Sequence, residues 1–267
     1  MSGNGSAVVA QQSRSQQGHL SSLGLLTWRA GLVTVRDTGQ LIMFVLQPIL
    51  FFAMFWIILG GSFEKAFGGS YRDFIAPGIA SAAVVFGAQG GVGAGVALDR
   101  FDGFLGRLKP HGVPLFNAIL ARVAVDAARN FVGCMIILAF AIIVGLRPTS
   151  WTCLVIALLP LVGLGAAVAF PVAWVSLAAS SRNAATSAQL LCLMPFGFIS
   201  SAYVPIESLP QAFRGVATWN PVSVTADLVR SLFYGRPADV DSWLLSCGVT
   251  ALVGIIGILF QLRRVNL

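Results

Sequence analysis

The amino-acid sequence predicts an all-α membrane protein with six transmembrane helices. Three observations support this prediction. Hydrophobic residues make up 57% of the chain and charged residues only 10%, whereas a soluble domain carries about 25% charged residues. Several apolar stretches reach the roughly 20 residues that a helix needs to cross a bilayer. The 267 residues leave room for short loops beside these spans but for no large soluble domain.

Uncharged stretches locate the six predicted spans in order. The first ends before Glu64, and the last ends before Arg263 and Arg264. The predicted spans cover residues 41–60, 74–98, 125–146, 151–179, 183–204 and 243–262. The stretch 148–181 carries no charge and is long enough for one tilted helix or for two short helices broken near Pro160.

The distribution of basic residues decides between these alternatives. Cytoplasmic loops of membrane proteins are enriched in Lys and Arg. With six spans both termini lie on one side of the membrane, and that side carries 11 of the 17 basic residues. Two spans within 148–181 would instead export Arg182, Arg263 and Arg264. We therefore predict six spans with both termini in the cytoplasm.

The N-terminal segment precedes the first span and divides into two parts. Residues 1–19 are rich in Ser, Gln and Gly, a composition that predicts a disordered cytoplasmic tail. Residues 20–267 form the predicted transmembrane domain. Near its start, Leu25, Trp28 and Leu32 recur at helical spacing with Arg29 to one side. This pattern predicts an amphipathic helix on the cytoplasmic leaflet, with an ordinary lead-in helix as the alternative.

Residues 99–130 form the most charge-dense stretch, with 5 of the 17 basic and 3 of the 10 acidic residues. Apolar residues recur there at helical spacing, which predicts a short amphipathic helix: Phe101, Phe104, Leu105 and Leu108. A turn should follow at Pro110 and Gly112. The helix would serve as a docking surface for a soluble partner or be a solvated loop without one. The candidate docking residues are Asp99, Arg100, Phe101, Asp102, Phe104, Leu105 and Arg107.

A second charge pattern follows the predicted turn. Arg122, Asp126 and Arg129 lie at positions i, i+4 and i+7 of the next helix, so they share a face and can pair as an Arg–Asp–Arg stripe. Such a stripe is more typical of a structural ion-pair network than of a substrate site.

The sequence lacks the motifs of a catalytic or nucleotide-binding protein. A Walker A loop needs a Lys after its second Gly, and the glycine-rich run GAQGGVGAG at 87–95 contains none. Small residues in an apolar span instead favour close helix packing. The four cysteines lie in apolar runs without metal-ligand spacing, so neither a metal site nor a catalytic residue is predicted. Scattered basic residues argue against nucleic-acid binding.

Three blocks of sequence carry a resemblance to a known family. They are YRDFIAPG at 71–78, DRFDGFLGRLKPHGVPLFNAILARVAVD at 99–126 and SSAYVPIESLPQAFRGVATWNPVSVTADLVRSLFYG at 200–235. Together with the six-span layout, they resemble ABC-2 type exporter permeases of the daunorubicin-resistance (Drr-like) branch. The chain departs from the family pattern at Phe101-Asp102-Gly103, where the family often has an acidic residue and Lys-Gly, and in the longer turn KPHGVP.

The resemblance implies a fold and a set of partners. Asp99–Lys109 would be a cytoplasmic coupling helix that contacts a separate ABC-type ATPase subunit, with ATP and Mg²⁺ on that subunit and no cofactor on this chain. Residues 209–234 would form short re-entrant helices before span six. The motif residues of this region are Pro205, Glu207, Pro210, Asn220, Pro221 and Arg230. A second permease, identical or paralogous, would complete the assembly in a bacterial plasma membrane.

The expected function is therefore that of the permease subunit of an ATP-driven exporter, which moves a hydrophobic or amphipathic drug or lipid out of the cytoplasm or inner leaflet. The alternative is a non-transport scaffold or a component of a lipid or cell-envelope assembly complex. Polar and aromatic residues of the spans are candidates for lining the path, with packing or lipid contact as the alternative role: Gln47, Phe51, Phe52, Phe55, Trp56, Gln89, Ser176, Thr186, Gln189, Phe196 and Phe198.

Overall fold

The computed structural model describes residues 22–67, 70–235 and 240–265. Within these ranges the fold is all-α, with 87% helix and no strand, so the all-α part of the predicted fold class is confirmed. The tail predicted over residues 1–19 lies outside the described residues. A helix over 22–36, here α1, occupies the position of the predicted amphipathic helix, and its Leu25 and Trp28 side chains are exposed.

The remaining helices follow in chain order. They are α2 (Thr38–Phe67), α3 (Tyr71–Ala88), a π-helical segment (Gln89–Gly93), α4 (Ala94–Phe101), α5 (Phe104–Leu108), α6 (Leu115–Ile143), α7 (Trp151–Ala178), α8 (Arg182–Phe198), α9 (Gln211–Thr218), α10 (Pro221–Phe233) and α11 (Val240–Val265). Short 3₁₀ turns lie at Lys109–His111 and Ile206–Ser208.

Five helices of the described chain are long and apolar enough to cross a membrane. They are Thr38–Ala66, Tyr71–Phe101, Leu115–Ile143, Trp151–Ala178 and Val240–Gln261. The stretch predicted as span five forms α8, which has 17 residues and is about 25 Å long at 1.5 Å per residue. That length is at the lower limit for a spanning helix.

The end of α8 differs from the predicted boundary at residue 204. The helix stops at Phe198, and Ile199 leaves the helical conformation. The Asn220 side chain donates hydrogen bonds to the carbonyls of Phe196 and Ile199 at 2.9 and 2.7 Å. These bonds satisfy carbonyls that a continued helix would have used, so the chain can turn here.

Most of the uncharged stretch 148–181 forms one continuous helix, α7 (Trp151–Ala178). α7 runs over 28 residues through Pro160 and Pro171, so a break into two short helices near Pro160 is excluded. A proline removes one backbone donor, and neighbouring helices make that loss tolerable inside a membrane bundle. α7 packs against α3, α6, α10 and α11.

The core of the bundle lies between α3 and α7. Tyr71, Ile75 and Ile79 of α3 are fully buried, as are Leu161 and Leu164 of α7. In contrast, α2 and α11 bury few of their residues inside the bundle and leave the others exposed or partly exposed. Because lipid tails are as apolar as leucine, this exposure costs little in a bilayer.

Candidate functional site

The predicted amphipathic helix over 99–110 is two helices joined by a turn. Asp99 and Arg100 lie near the end of α4, and α5 begins at Phe104. Gly103 between them adopts a φ of 72°, a left-handed conformation that favours glycine. The prediction of one helix was therefore wrong, because the apolar spacing belongs to two helices that meet at this glycine. We call residues 99–108 the α4–α5 corner.

Asp99 anchors the α4–α5 corner to the bundle. Its side chain is 3% exposed, and its Oδ1 accepts a hydrogen bond from Arg29 Nη1 at 2.9 Å. Its Oδ2 accepts from Arg122 Nε, also at 2.9 Å. The carboxylate thus joins α4 to α1 and α6. Asp99 is an internal ion-pair residue and not part of an exposed docking surface.

Arg100 and Arg29 strengthen the same anchor. Arg100 Nη1 donates to the Ser176 and Ala179 carbonyls at the end of α7, at 2.9 and 2.6 Å, where a helix leaves carbonyls without partners. The Arg29 guanidinium lies 3.5 Å from the centre of the Phe104 ring, a cation–π contact between α1 and α5. α1 is therefore fixed to the corner by charge and by ring contact.

The outer part of the α4–α5 corner stays accessible. Phe101, Asp102 and Arg107 are exposed, and Phe104 and Leu105 are half-buried. Asp102 pairs with Arg182 at the start of α8 at 2.7 Å, and both side chains are about half exposed. Such an exposed pair is weak, so these groups remain available to a partner.

The Arg122–Asp126–Arg129 stripe divides between two partners. Asp126 pairs with Arg129 and accepts a hydrogen bond from Asn130 at 3.1 Å. Arg122 pairs with Asp99 instead. The prediction was therefore right for Asp126 with Arg129 and wrong for Arg122. Arg122, Asp99, Asp126 and Arg129 are all buried, where an unpaired charge is costly. Because Asp126 already pairs with Arg129, Asp99 supplies the counter-charge for Arg122.

The glycine-rich run makes room for these charged side chains. A Cβ at Gly91 would overlap Asp126 Oδ1, and one at Gly95 would lie 2.7 Å from Arg122 Nη1. Two backbone carbonyls also accept from neighbouring helices here: Arg129 donates to Gly87 O near the end of α3, and Gln40 donates to Gly90 O in the π-helical segment. The predicted close packing is confirmed. The absence of side chains at these glycines lets polar side chains of α6 and α2 approach the helix backbone.

A second polar cluster brings the first and third sequence blocks together. Arg230 of α10 donates to the Phe74 carbonyl at 3.0 Å and to the Ser201 carbonyl at 2.6 Å. Its guanidinium also lies 3.8 Å from the Phe74 ring centre. The Tyr71 hydroxyl donates to the Tyr203 carbonyl at 2.8 Å. Residues 71–78 and 200–235 are thus parts of one contact.

The other motif residues of the third block shape turns and helix ends. Asn220 caps α10 by accepting from the Val222 backbone N–H at 2.9 Å, and Pro221 occupies the first helical position, which suits its fixed φ. The Glu207 carbonyl accepts from Arg214 at 2.6 Å. Pro205 precedes the 3₁₀ turn and Pro210 precedes α9. Short helices therefore lie where the resemblance implied them.

A cavity of about 110 Å³ opens between α2 and α3. Gln47 and Phe51, two candidate lining residues, face it. Ser176 is buried and accepts a hydrogen bond from Gln189 at 2.6 Å. Gln189 and Phe196, also candidate lining residues, lie in the wall of a second cavity of about 290 Å³ between α7, α8 and α11. Sequence reasoning missed Tyr203, which lines the cavity between α2 and α3. Its place in the third block was the only available signal.

The long apolar helices and the buried ion pairs at their ends are those of a multi-pass membrane protein. The profile of the ABC-2 type transporter family matches residues 21–234, so the chain belongs to this family and is a membrane transport permease. It is 28% identical over 237 residues to the "Daunorubicin resistance ABC transporter permease protein DrrB1" of Streptomyces coeruleorubidus, covering 85% of this chain and 80% of that protein.

A second relative is named as a transport permease as well. The chain is 25% identical over 240 residues to the "Putative transport permease ycf38" of Cyanophora paradoxa. That match covers 85% of this chain and 77% of the relative.

Proposed function

We propose that this chain is the permease subunit of an ATP-driven exporter in a bacterial plasma membrane. The observation that carries the proposal is the α4–α5 corner. It presents exposed Phe101, Asp102 and Arg107 to a partner, while buried Asp99 ties it to α1 and α6. A force applied to the exposed groups would therefore reach several helices at once.

The proposed topology has six spans and both termini in the cytoplasm. α8 is the additional span beside the five longer helices, and its 17 residues suffice if the flanking groups reach the interface. The α4–α5 corner and Arg182 then face the cytoplasm. α9 and α10 lie at the outer side as re-entrant helices. The count of basic residues on the inner side supports this arrangement.

The energy for transport would come from another subunit. The sequence has no Walker A motif, so we propose that an ABC-type ATPase subunit binds ATP and Mg²⁺ and docks at the α4–α5 corner. A second permease, identical or paralogous, would complete the path. Under this proposal the chain itself hydrolyses no ATP and holds no cofactor.

The proposed cargo is a hydrophobic or amphipathic drug or lipid. Apolar side chains dominate the exposed surfaces of α2 and α8, which suits such a molecule. The name of the Streptomyces coeruleorubidus relative refers to daunorubicin resistance. We therefore take daunorubicin as the first compound to test, with fluorescent phospholipid as the second.

The test is ATP-dependent uptake into inverted vesicles that contain this chain and an ABC-type ATPase subunit from the same cell. Charge reversal of the corner, Asp102→Arg with Arg107→Asp, should reduce co-purification of the ATPase and ATP-dependent uptake together. The matched control is Glu64→Lys with Lys65→Glu, since both residues are exposed and lie near the end of α2. The control should assemble and transport normally.

Two results would contradict the proposal. If the corner variant assembles and transports like the control, the docking assignment is wrong. If the unmodified assembly moves neither compound in the presence of ATP, the chain is better explained as a scaffold in a cell-envelope complex.

A further inference from the structure

The second cavity, between α7, α8 and α11, is large and runs along the helices. Its volume is about 290 Å³, whereas a cavity of roughly 150 Å³ already binds benzene. Its lining extends over residues 168–175 of α7, 189–196 of α8 and 253–260 of α11, and each stretch rises about 10 Å at 1.5 Å per residue. We call this elongated space the α7–α8–α11 cavity.

The α7–α8–α11 cavity leads from the outer surface of the bundle into its core. Phe196 of α8 and Ile256 of α11 line it and are exposed. Val172 and Leu193 also line it, but they are only 3% and 5% exposed. Because α7 and α11 are long and apolar enough to cross a membrane, the mouth of the cavity faces hydrocarbon and its long axis follows the bilayer normal.

The lining offers no partner to water or to a charged group. No charged residue lines the cavity in the described part of the chain, and Gln189 is the one lining residue with an amide or hydroxyl group. Its Nε2 donates to Ser176 Oγ, and its Oε1 lies 2.6 Å from the position of a Cβ on Gly93. Neither Ser176 nor Gly93 lines the cavity, so the amide is turned toward the π-helical segment.

An apolar ligand would therefore fill this space better than water. Apolar cavities stay dry, because a water molecule needs about two to four polar partners. An empty space would in turn deprive the wall atoms of their dispersion contacts. The bilayer around α11 supplies apolar chains directly at the mouth.

We propose that the α7–α8–α11 cavity binds one acyl chain of a bilayer phospholipid. Acyl chains lie on average along the bilayer normal, as the cavity does, and its length favours a chain over a compact ring. The headgroup would stay outside, since the lining provides no charged partner for it. The bound chain would fill the space between α8 and α11 and so connect them. This proposal goes beyond the export function and does not depend on it.

The experiment is photolabelling of the full chain in nanodiscs of phosphatidylethanolamine and phosphatidylglycerol. A small fraction of the phosphatidylethanolamine carries a diazirine midway along one acyl chain. Ultraviolet light releases N₂ from the diazirine, and the resulting carbene inserts into a nearby C–H bond, which mass spectrometry of the digested protein locates. Val172 and Leu193 should be labelled although they are buried. Leu161 and Leu164 of α7, which are fully buried outside this cavity, should stay unlabelled.

Two filling variants on different helices make the test specific. Cys192→Phe and Ile256→Trp add bulk to the lining from α8 and from α11, so the test survives if one of them does not fold. Each should lower the labelling of Leu193 toward that of Leu161. Labelling of Met194, an exposed residue of α8 outside the cavity lining, should stay unchanged.

The matched control is Cys247→Phe. Cys247 is also an exposed cysteine, but it lies outside the lining of the α7–α8–α11 cavity. The same substitution there should change the labelling of neither Leu193 nor Met194.

Either of two results would overturn the inference. If Val172 and Leu193 in the unmodified chain are labelled no more than Leu161, no acyl chain enters, as expected if a second copy of the chain covers the mouth. If both filling variants leave the labelling of Leu193 unchanged, the label reaches it from outside the cavity. The assay contains no ATPase and no exported compound, so neither result bears on the vesicle transport assay that tests export.

Discussion

Asp99 is the residue on which the α4–α5 corner depends. Its carboxylate is almost fully buried and pairs with Arg122 of α6 and Arg29 of α1. Asp102, three residues further along, forms an exposed pair with Arg182. The two carboxylates lie close in sequence, yet burial separates their roles. Asp99 stabilises the fold, and Asp102 remains free to exchange partners.

Replacing Asp99 by Asn should destabilise the protein strongly. The variant leaves Arg122 buried without its counter-charge, and loss of one partner from a buried pair costs about 3–5 kcal/mol. Asp102→Asn is the matched control, because exposed pairs contribute about 0–1 kcal/mol. The measurement is the thermal unfolding midpoint of the purified protein in detergent. Equal shifts for the two variants would contradict the anchoring role of Asp99.

At the scale of elements, the π-helical segment joins α3 to α4 and forms the place where both pack against side chains of α6. Its glycines let charged and amide side chains approach the helix backbone, and Gln40 and Arg129 donate to carbonyls in or just before it. π-Helical segments frequently occur at functional sites. Here the segment lies between the cavity that α2 and α3 line and the α4–α5 corner, so a change in its hydrogen bonding would affect both.

Gly91→Ala should disrupt this contact. The added methyl group would overlap Asp126 and Arg129, and overpacking typically costs about 1–3 kcal/mol. Gly163→Ala is the control in α7, since no described heavy atom lies within 4 Å of a Cβ there and alanine favours helices. The thermal midpoint should fall for Gly91→Ala and stay level or rise for Gly163→Ala. A similar effect of both would mean that the close approach at Gly91 is unimportant.

Hydropathy predicted the positions of the long helices well, whereas residue spacing along the sequence predicted the ion-pair partners poorly. The continuous α7 agrees with the prediction that the distribution of basic residues favoured, and short helices precede α11 where the family resemblance implied them. The break at Gly103 was missed because helical spacing continues across it. The Asp99–Arg122 pair was missed because it joins residues that only the folded bundle brings together. Tyr203 was missed because its place in the wall of the cavity between α2 and α3 depends on how the folded helices pack.

For the whole molecule, the two polar clusters lie at opposite ends of the long α3–α4 helix. The Asp99 cluster is at the end near Phe101, and the Arg230 cluster contacts the end near Tyr71 and Phe74. Between these ends the helix lines the cavity between α2 and α3 through Phe86 and Gly87. One buried helix therefore connects the proposed docking surface to the proposed outer side.

The remaining prediction concerns the direction of α8, on which the six-span topology depends. If α8 crosses the membrane, Gly106 and Ser208 lie on opposite sides. Both residues are exposed, so single-cysteine variants Gly106→Cys and Ser208→Cys can be made after the four natural cysteines are replaced. A membrane-impermeant maleimide should label Ser208→Cys in intact cells. It should label Gly106→Cys only after permeabilisation, because the positive-inside rule places the α4–α5 corner in the cytoplasm. Labelling of both positions from the same side would show that α8 does not cross, and would reduce the bundle to five spans with termini on opposite sides.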